Sequence, residues 1–279
     1  MGFYRRQIDE RSSVTLWWLS YPLLGVFAGF VAGLFGVGGG LTIVPLLFML
    51  FTAQAFPVEH SMHLALGTSM ATIVFTSIAS MRAHHGHGAV RWDIVKSFAP
   101  GLVLGTLSGS FIATWVPTRP LAMIFTVIVY YASLQMMLDF KPKPHRQLPG
   151  TIGMIIAGTL IGVVSSLVAA GGGFLSIPFM VFCNVVIHHA VGTSAALGFP
   201  IAVAGTIGYI ASGLKTPGLP EFSLGYVYLP AFIGVVAISF LMAPVGARLA
   251  HTLPVKQLKR AFGGFLALLA TKMLYGLLS

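Results

Sequence analysis

Two glycine runs interrupt long apolar stretches of the chain, and each is followed within a few residues by a hydroxyl side chain. The runs are Gly38, Gly39 and Gly40, and Gly171, Gly172 and Gly173. Thr42 and Ser176 are the hydroxyl residues, and Pro45 and Pro178 follow at matching distances. A helix that restarts after such a run presents free N–H groups and the positive end of its dipole. We therefore predict a site for an anion, in which the two hydroxyls are further donors.

A Gly-Thr-Ser triplet begins the next apolar span after each run, and its hydroxyls form a second candidate set. The set comprises Thr68, Ser69, Thr193 and Ser194. Neutral hydroxyl donors can line an anion site without the full charge of Lys or Arg. Serine and threonine also cap helices or bond back to a carbonyl of the preceding turn. The sequence is compatible with both roles, lining an anion site and capping or bonding within the helix, and does not distinguish between them.

A histidine stands four residues before the glycine of each triplet, at His63 and His188. Because imidazole has a usual pKa of about 6.5, either side chain could exchange a proton during transport. A helix cap or a helix interface is the alternative role for both.

The histidines also suggest a competing class, a metal enzyme of the membrane. Those at positions 60 and 63, at 84, 85 and 87, and at 188 and 189 form a pattern that loosely resembles the histidine boxes of membrane di-iron oxidases. Such sites usually add carboxylates that bind the metal or orient the rings. Acids are scarce here and the glycine runs would be unexplained, so this class is less favoured. A metal-binding loop at residues 84–87 is a further alternative.

The elements that must position these groups are apolar. Of the 279 residues, 56% are hydrophobic and 8% are charged. Apolar stretches of about twenty residues recur, which is the length a helix needs to cross a bilayer. The composition therefore predicts an all-α polytopic membrane protein and argues against a soluble domain.

Charge is distributed one-sidedly, with 16 Lys and Arg against six acids. The acids are Asp9, Glu10, Glu59, Asp93, Asp139 and Glu221, and all lie at or outside the ends of the apolar stretches. No carboxylate is therefore expected at mid-membrane to hold a cation or carry a proton. The basic excess fits the usual enrichment of cytoplasmic loops in Lys and Arg, and it also fits an anionic substrate.

Counting each interrupted stretch as one crossing predicts about eight transmembrane helices. The pieces at residues 41–53 and 174–186 reach only roughly 20 Å, against a hydrocarbon core of about 30 Å. We therefore interpret them as half-helices rather than separate crossings. Counting them separately gives ten segments and two halves of opposite orientation, and loop charges do not separate the two counts. The arrangement of the halves and the orientation of the termini stay open.

The second half of the chain repeats the order of features in the first. Besides the glycine runs and the histidine-led triplets, the spacing of Gly109, Ala113 and Pro117 recurs at Gly246, Ala250 and Pro254. The most polar internal stretch, residues 141–146, separates the halves. We predict a first transmembrane repeat at residues 1–140, a polar linker at 141–149 and a second repeat at 150–279.

The Gly-x-Gly-Gly-Gly-x4-Pro stretch at residues 36–45, the His-x3-Gly-Thr-Ser segment at 63–69 and their repetition resemble the TauE/SafE family of bacterial membrane transporters. The resemblance extends from about residue 25 to residue 278. It implies export of sulfite, sulfonates or related organosulfur anions by a multi-pass protein of the bacterial inner membrane. The second copy has Ala169 and Ala170 where the first has Gly36 and Val37, so a strictly symmetric site is not expected.

These features predict a secondary transporter of a small anion with a mid-membrane site between two repeats. Direct ATP coupling is not expected, since no nucleotide-binding motif is present. We expect no enzymatic activity, catalytic residue, cofactor, metal or nucleic-acid partner, the lipid bilayer as the environment, and homo-oligomerisation as an open question. The alternative is a channel-like or scaffold membrane protein in which the glycines only allow helices to pack closely.

Overall fold

A computed structural model of the chain describes residues 19–31, 39–138, 146–250 and 255–278. Helices account for almost all of these residues, joined by short turns and one two-stranded antiparallel hairpin. The elements are α1 (Leu19–Val31), α2 (Gly40–Ala53), α3 (Val58–Gly86), α4 (Trp92–Trp115), α5 (Thr118–Leu138), α6 (Thr151–Val168), α7 (Gly173–Phe182), α8 (Ile187–Gly213), β1 (Ser223–Leu224), β2 (Val227–Tyr228), α9 (Leu229–Ala250) and α10 (Val255–Leu278).

Six helices within the described ranges are long and apolar enough to cross a membrane. They are α3, α4, α5, α6, α8 and the Gln257–Leu278 part of α10. Four shorter apolar helices accompany them, namely α1, α2, α7 and the Leu229–Met242 part of α9. The prediction of an all-α, multi-pass membrane protein is confirmed. The count of eight membrane crossings is not confirmed.

The described helix pieces on either side of each glycine run lie side by side. The hydroxyl of Tyr21, near the start of α1, donates to Oε1 of Gln54 at the end of α2 over 2.8 Å. In the second half, the backbone N–H of Arg146, ahead of α6, donates to the carbonyl of Phe182 at the end of α7 over 3.3 Å. The pieces of each interrupted stretch therefore form a helical hairpin rather than one crossing. Length alone could not distinguish a half-helix that continues from one that returns.

Close backbone contacts at glycines establish the helix directions. A methyl group at Gly101 of α4 would lie 2.2 Å from the carbonyl oxygen of Ile155, and one at Gly105 would lie 2.0 Å from that of Thr159. Residue numbers rise together along this contact, so α4 and α6 run parallel. Small residues at membrane helix interfaces allow such an approach of two backbones.

Helices α3 and α8 form the centre of the molecule. Two thirds of the apolar window in each, 67%, is buried inside the protein, against 33–44% in the other four long helices. The two helices run antiparallel, since Met70 packs on Gly205 and Ser77 approaches Gly198. We therefore expect the candidate anion site beside this pair of helices.

Candidate functional site

The two glycine runs meet beside α3 and α8. A methyl group at Gly40, the first residue of α2, would lie 1.8 Å from the carbonyl oxygen of Ala169 and 2.9 Å from Cδ1 of Ile73 in α3. One at Gly198 of α8 would lie 3.3 Å from the carbonyl oxygen of Gly171. The tips of the two hairpins, separated by about 130 residues of sequence, thus come into direct contact. Gly38 lies outside the described residues.

Both tips use the same backbone conformation. Gly39 has φ of 75° and Gly172 has φ of 78°, a left-handed region in which glycine is favoured. Each glycine carbonyl accepts the first N–H bonds of the following helix, from Thr42 over 3.0 Å in α2 and from Ser176 over 2.8 Å in α7. The N–H groups at the very start of each helix have no acceptor within it. Two buried helix N-termini, each the positive end of a dipole, therefore lie at the hairpin tips.

The predicted first-turn hydroxyls are buried at the tips. Thr42 Oγ1 donates to the carbonyl of Gly39 over 2.7 Å, and Ser176 Oγ lies 2.8 Å from the carbonyl of Gly172. Ser176 Oγ also lies 2.9 Å from Ser194 Oγ of α8. Ser176 has one hydroxyl proton, so when it donates to Gly172, Ser194 donates to Ser176. The structure thus brings Ser176 and Ser194 together.

Ser69 is fully buried in α3, and its hydroxyl has no hydrogen-bond partner among the described residues. It occupies the triplet position that Ser194 occupies in α8. Buried hydroxyls nearly always have a partner, so an orphaned one indicates a place for water or a ligand. Ser69 lies one helical turn from Ile73, which packs on Gly40 at the first tip. Its hydroxyl is therefore near the tip and uncommitted within the described part of the chain.

Sequence reasoning missed three further hydroxyls without a partner among the described residues, those of Thr106 in α4, Ser165 in α6 and Ser223 in β1. Thr106 and Ser165 are fully buried, and Thr106 lies where Gly162 of α6 approaches its backbone N. Ser165 lies in the last turn of α6, before the second tip, and its carbonyl accepts the N–H of Ala170 over 3.1 Å. The sequence signal for Thr106 and Ser165 is that each lies within a stripe of small residues. Such a stripe by itself indicates only close helix packing.

Thr68 and Thr193 do not lie at the tips; each holds a loop. Thr68 Oγ1 accepts the N–H of Tyr228 over 3.0 Å, and Thr193 Oγ1 accepts the N–H of Arg91 over 3.0 Å. We call these contacts the Thr68 latch and the Thr193 latch. The preceding glycine of each triplet leaves room for the same loop, at Tyr226 and Ala89 respectively. Burial raises the pKa of the Tyr228 phenol, so this ring is neutral in the loop.

The two predicted proton-linked histidines have different environments. His63 is buried in α3, and its Nε2 lies 3.1 Å from the carbonyl oxygens of both Ala113 and Val116. Its ring packs on Tyr226, with the centroids 5.1 Å apart. His188 is exposed at the start of α8, with its ring beside that of His189. His63 thus joins three elements, whereas its partner in the sequence repeat does not.

At the end of α3, where the sequence suggests a metal-binding loop, His85 makes an ordinary polar contact. Nδ1 of His85 accepts the indole N–H of Trp92 over 3.2 Å. Across the described ranges, no group of three or more His, Cys, Asp or Glu side chains is arranged to hold a metal ion.

Comparison with known proteins agrees with this architecture. The family model described as "Sulfite exporter TauE/SafE" matches residues 21–273. A probable membrane transporter protein of Haemophilus influenzae is 40% identical over 253 residues, covering 90% of this chain and 96% of that protein. Probable membrane transporter proteins of Bacillus subtilis (YdhB) and Methanocaldococcus jannaschii are 27% and 23% identical, over 86% and 92% of this chain and 91% and 96% of their own lengths. No solved structure matches the chain. The chain belongs to the TauE/SafE family of membrane transporters.

Proposed function

We propose that the protein is a secondary transporter that exports a small anion, such as sulfite, a sulfonate or a related organosulfur compound, through the point where the hairpin tips meet. The observation that carries the proposal is the meeting of two buried helix N-termini with buried hydroxyls. An oxyanion has several acceptor oxygens and no donors, so N–H and O–H groups match it. The name of the matching family, sulfite exporter TauE/SafE, supports the choice of substrate class.

The surrounding charges favour the same sign of substrate. Each carboxylate in the described ranges, Glu59, Asp93 and Glu221, is exposed at a helix end or in a loop. A cation at the tips would meet two positive dipole ends without a buried carboxylate from these residues. Because the donors at the tips are neutral, an anion bound there retains part of its desolvation cost, which allows release.

The repeats provide a mechanism for access from alternate sides. The proposal treats residues 1–140 and 150–279 as two homologous halves joined by the linker at 141–149, with α3 equivalent to α8. Helices at equivalent positions of inverted repeats run in opposite directions, as α3 and α8 do. In such carriers the substrate site lies between the repeats near mid-membrane. The shared left-handed conformation of Gly39 and Gly172 supports this equivalence.

The two latches are the gates in this mechanism. Thr68 and Thr193 lie near the starts of two antiparallel helices, so the latches lie at opposite faces of the molecule. Release of the Thr68 latch would free the hairpin of β1 and β2 at one face, and release of the Thr193 latch would free the loop before α4 at the other. A carrier must open one gate at a time, since simultaneous opening would make a channel.

The charge at the two faces supports an orientation in a bacterial inner membrane. The face where α4 and α10 begin carries Arg82, Arg91, Lys96, Arg146, Lys259 and Arg260, and the opposite face carries Arg119, Lys215 and Lys272. Because Lys and Arg are enriched on the cytoplasmic side, the first face would be cytoplasmic and the Thr193 latch would be the inner gate.

Uptake by proteoliposomes tests the proposal. Purified protein is expected to take up labelled sulfite or a small sulfonate, and preloading with unlabelled anion should accelerate uptake, because a carrier exchanges its substrate. The variant Ser69→Ala should reduce uptake about tenfold, because the proton of this buried hydroxyl is not committed to an acceptor among the described residues and a hydrogen bond to a charged group contributes about 1.5 kcal/mol or more. Ser108→Ala is the matched control, because this hydroxyl is exposed on α4 and bonded to Leu104.

Three results would contradict the proposal or part of it. Absence of uptake for every anion tried, with folded protein in the vesicles, would favour the scaffold alternative. Uptake without acceleration by preloading would favour a channel. Unchanged uptake in Ser69→Ala would remove this hydroxyl from the site.

A further inference from the structure

A large groove opens on the side of the helix bundle and is separate from the hairpin tips. It encloses about 1620 Å³ between α1, α2 and the last turns of α10, and the starts of α3 and α5 complete its rim. Leu23 and Phe27 of α1 and Leu46 and Leu50 of α2 contribute apolar walls. Leu23 is 71% exposed, so the wall is open to the surroundings. In a membrane protein, such a wall contacts lipid rather than water.

Charged side chains gather at one end of this groove. Arg119 at the start of α5 and Lys272 near the end of α10 both line it, and Glu59 is the one carboxylate among its described lining residues. These helix ends lie at one face, since Nη2 of Arg119 donates to the carbonyl of Leu277 over 2.7 Å and Thr118 Oγ1 donates to that of Glu59. The groove therefore has a positively charged mouth and an apolar interior.

The depth of the groove suits a lipid chain. Its α2 wall extends from Leu46 to Ala53, which is about 10 Å along the helix axis. Long basic side chains at helix ends extend toward the headgroup layer while their stems stay on apolar surface. Basic pockets between transmembrane helices bind anionic lipid headgroups.

We propose that this groove binds an anionic phospholipid, with the phosphate between Arg119 and Lys272 and an acyl chain along α1 and α2. The two cations outnumber Glu59, the one carboxylate among the described residues of the mouth, so they select for a net negative headgroup. This site goes beyond transport of a small anion, since none of the described residues of the hairpin tips lines the groove. A free oxyanion has no apolar part that could pack against an apolar wall about 10 Å deep.

Native mass spectrometry with an equimolar mixture of phosphatidylglycerol and phosphatidylethanolamine tests the inference. The wild-type chain should retain phosphatidylglycerol preferentially. Lys272→Gln should reduce this preference about fivefold, which corresponds to about 1 kcal/mol for one basic residue near the headgroups. Arg119→Gln with Lys272→Gln should abolish it. Lys96→Gln is the matched control, because Lys96 is an exposed lysine at the opposite face.

The single Lys272→Gln variant protects the test from misfolding, since it leaves the contact between Arg119 and Leu277 intact. An unchanged preference in both variants would overturn the inference, as would an equal loss in Lys96→Gln. Binding of inorganic phosphate with the same dependence on the two cations would also overturn it in favour of a free anion. Dimers without retained lipid would assign the groove to a second copy of the chain. None of these results depends on whether the hairpin tips transport an anion.

Discussion

The two hairpin tips have nearly the same backbone conformation but different side-chain hydrogen bonds. Gly39 and Gly172 adopt nearly the same left-handed conformation, and each begins a short helix that returns toward the face it came from. At the second tip, Ser176 pairs with Ser194 of the neighbouring long helix. At the first tip, the hydroxyl of Ser69 has no partner among the described residues.

The reason for this difference is visible in the register of the two short helices. The fourth residue after Gly39 is Ile43, whereas the fourth after Gly172 is Ser176. A hydroxyl that would complete the pair with Ser69 is therefore replaced by an apolar side chain. The backbone conformation of the tips is duplicated because it requires only a glycine followed by a helix start. The side-chain donors of the two tips differ. The candidate site is accordingly asymmetric, since Ser176 and Ser194 are paired whereas Ser69 has no partner among the described residues.

The largest effect is expected at the contact between the tips. Gly40→Ala places a methyl group on the backbone of Ala169, where neither helix end can move independently. We expect a loss of about 3 kcal/mol or more in stability, at the upper end of overpacking costs. Gly172→Ala should cost less, about 1–2 kcal/mol, because its strain is mainly the left-handed backbone and its neighbour is the flexible Cδ1 of Ile201. Unfolding in detergent, followed by circular dichroism, measures the difference.

Gly264→Ala controls for the general effect of adding a methyl group. Gly264 lies within α10 and has no atom within 4 Å of the added carbon. This variant should be as stable as the wild type or more so, by up to about 1 kcal/mol, since alanine favours helix over glycine. Equal stability of Gly40→Ala and Gly264→Ala would contradict direct contact of the tips.

The histidines give the next largest contrast between the halves. His63→Ala removes the ring that bonds the carbonyls of Ala113 and Val116 and leaves them without this partner. We expect it to cost about 2 kcal/mol in stability. His188→Ala should stay within about 0.5 kcal/mol of the wild type, because the side chain is exposed. Thermal unfolding of both variants checks the prediction, and equal losses would refute the asymmetry.

These contrasts show what the sequence could reveal. Apolar stretch length and charge content predicted an all-α membrane protein, because bilayer thickness imposes the same helix length on any such chain. The paired glycine runs identified the tips, since three successive glycines disfavour helix locally. The return of α2 and α7 was not predictable, because it depends on contacts such as that between Tyr21 and Gln54, far apart in sequence.

The candidate hydroxyls show the same difference between what local sequence determines and what tertiary packing determines. Thr42 and Ser176 lie in the first turns of α2 and α7, as the sequence predicts, because their position depends only on the adjacent helix start; their contact with substrate stays a prediction. Thr68 and Thr193 were grouped with them, yet they hold loops from the other half of the chain. Which partner a buried hydroxyl finds is decided by tertiary packing. Ser69 and Ser194 therefore look equivalent in the sequence and differ in the structure.

The two latches should respond separately and locally. Thr68→Val keeps the shape of the side chain but leaves the N–H of Tyr228 without its acceptor, at a cost of about 1–2 kcal/mol. Thr193→Val does the same to the N–H of Arg91. Hydrogen exchange should therefore rise in residues 222–228 for the first variant and in residues 87–91 for the second. Each variant is the control for the other, and a rise in both loops from either change would argue against independent gates.

The smallest change in stability, and the sharpest test of the difference between the tips, comes from their two serines. Ser194→Ala removes the partner of Ser176 and should cost about 1 kcal/mol. Ser69→Ala removes a hydroxyl without a described partner, so stability should be unchanged. If that hydroxyl binds substrate, the same variant should lose most of the thermal stabilisation that sulfite or a sulfonate gives the wild type. Unaltered stabilisation by anion in Ser69→Ala would exclude Ser69 from the site, and a loss of stability as large as that of Ser194→Ala would show that its hydroxyl has a structural partner.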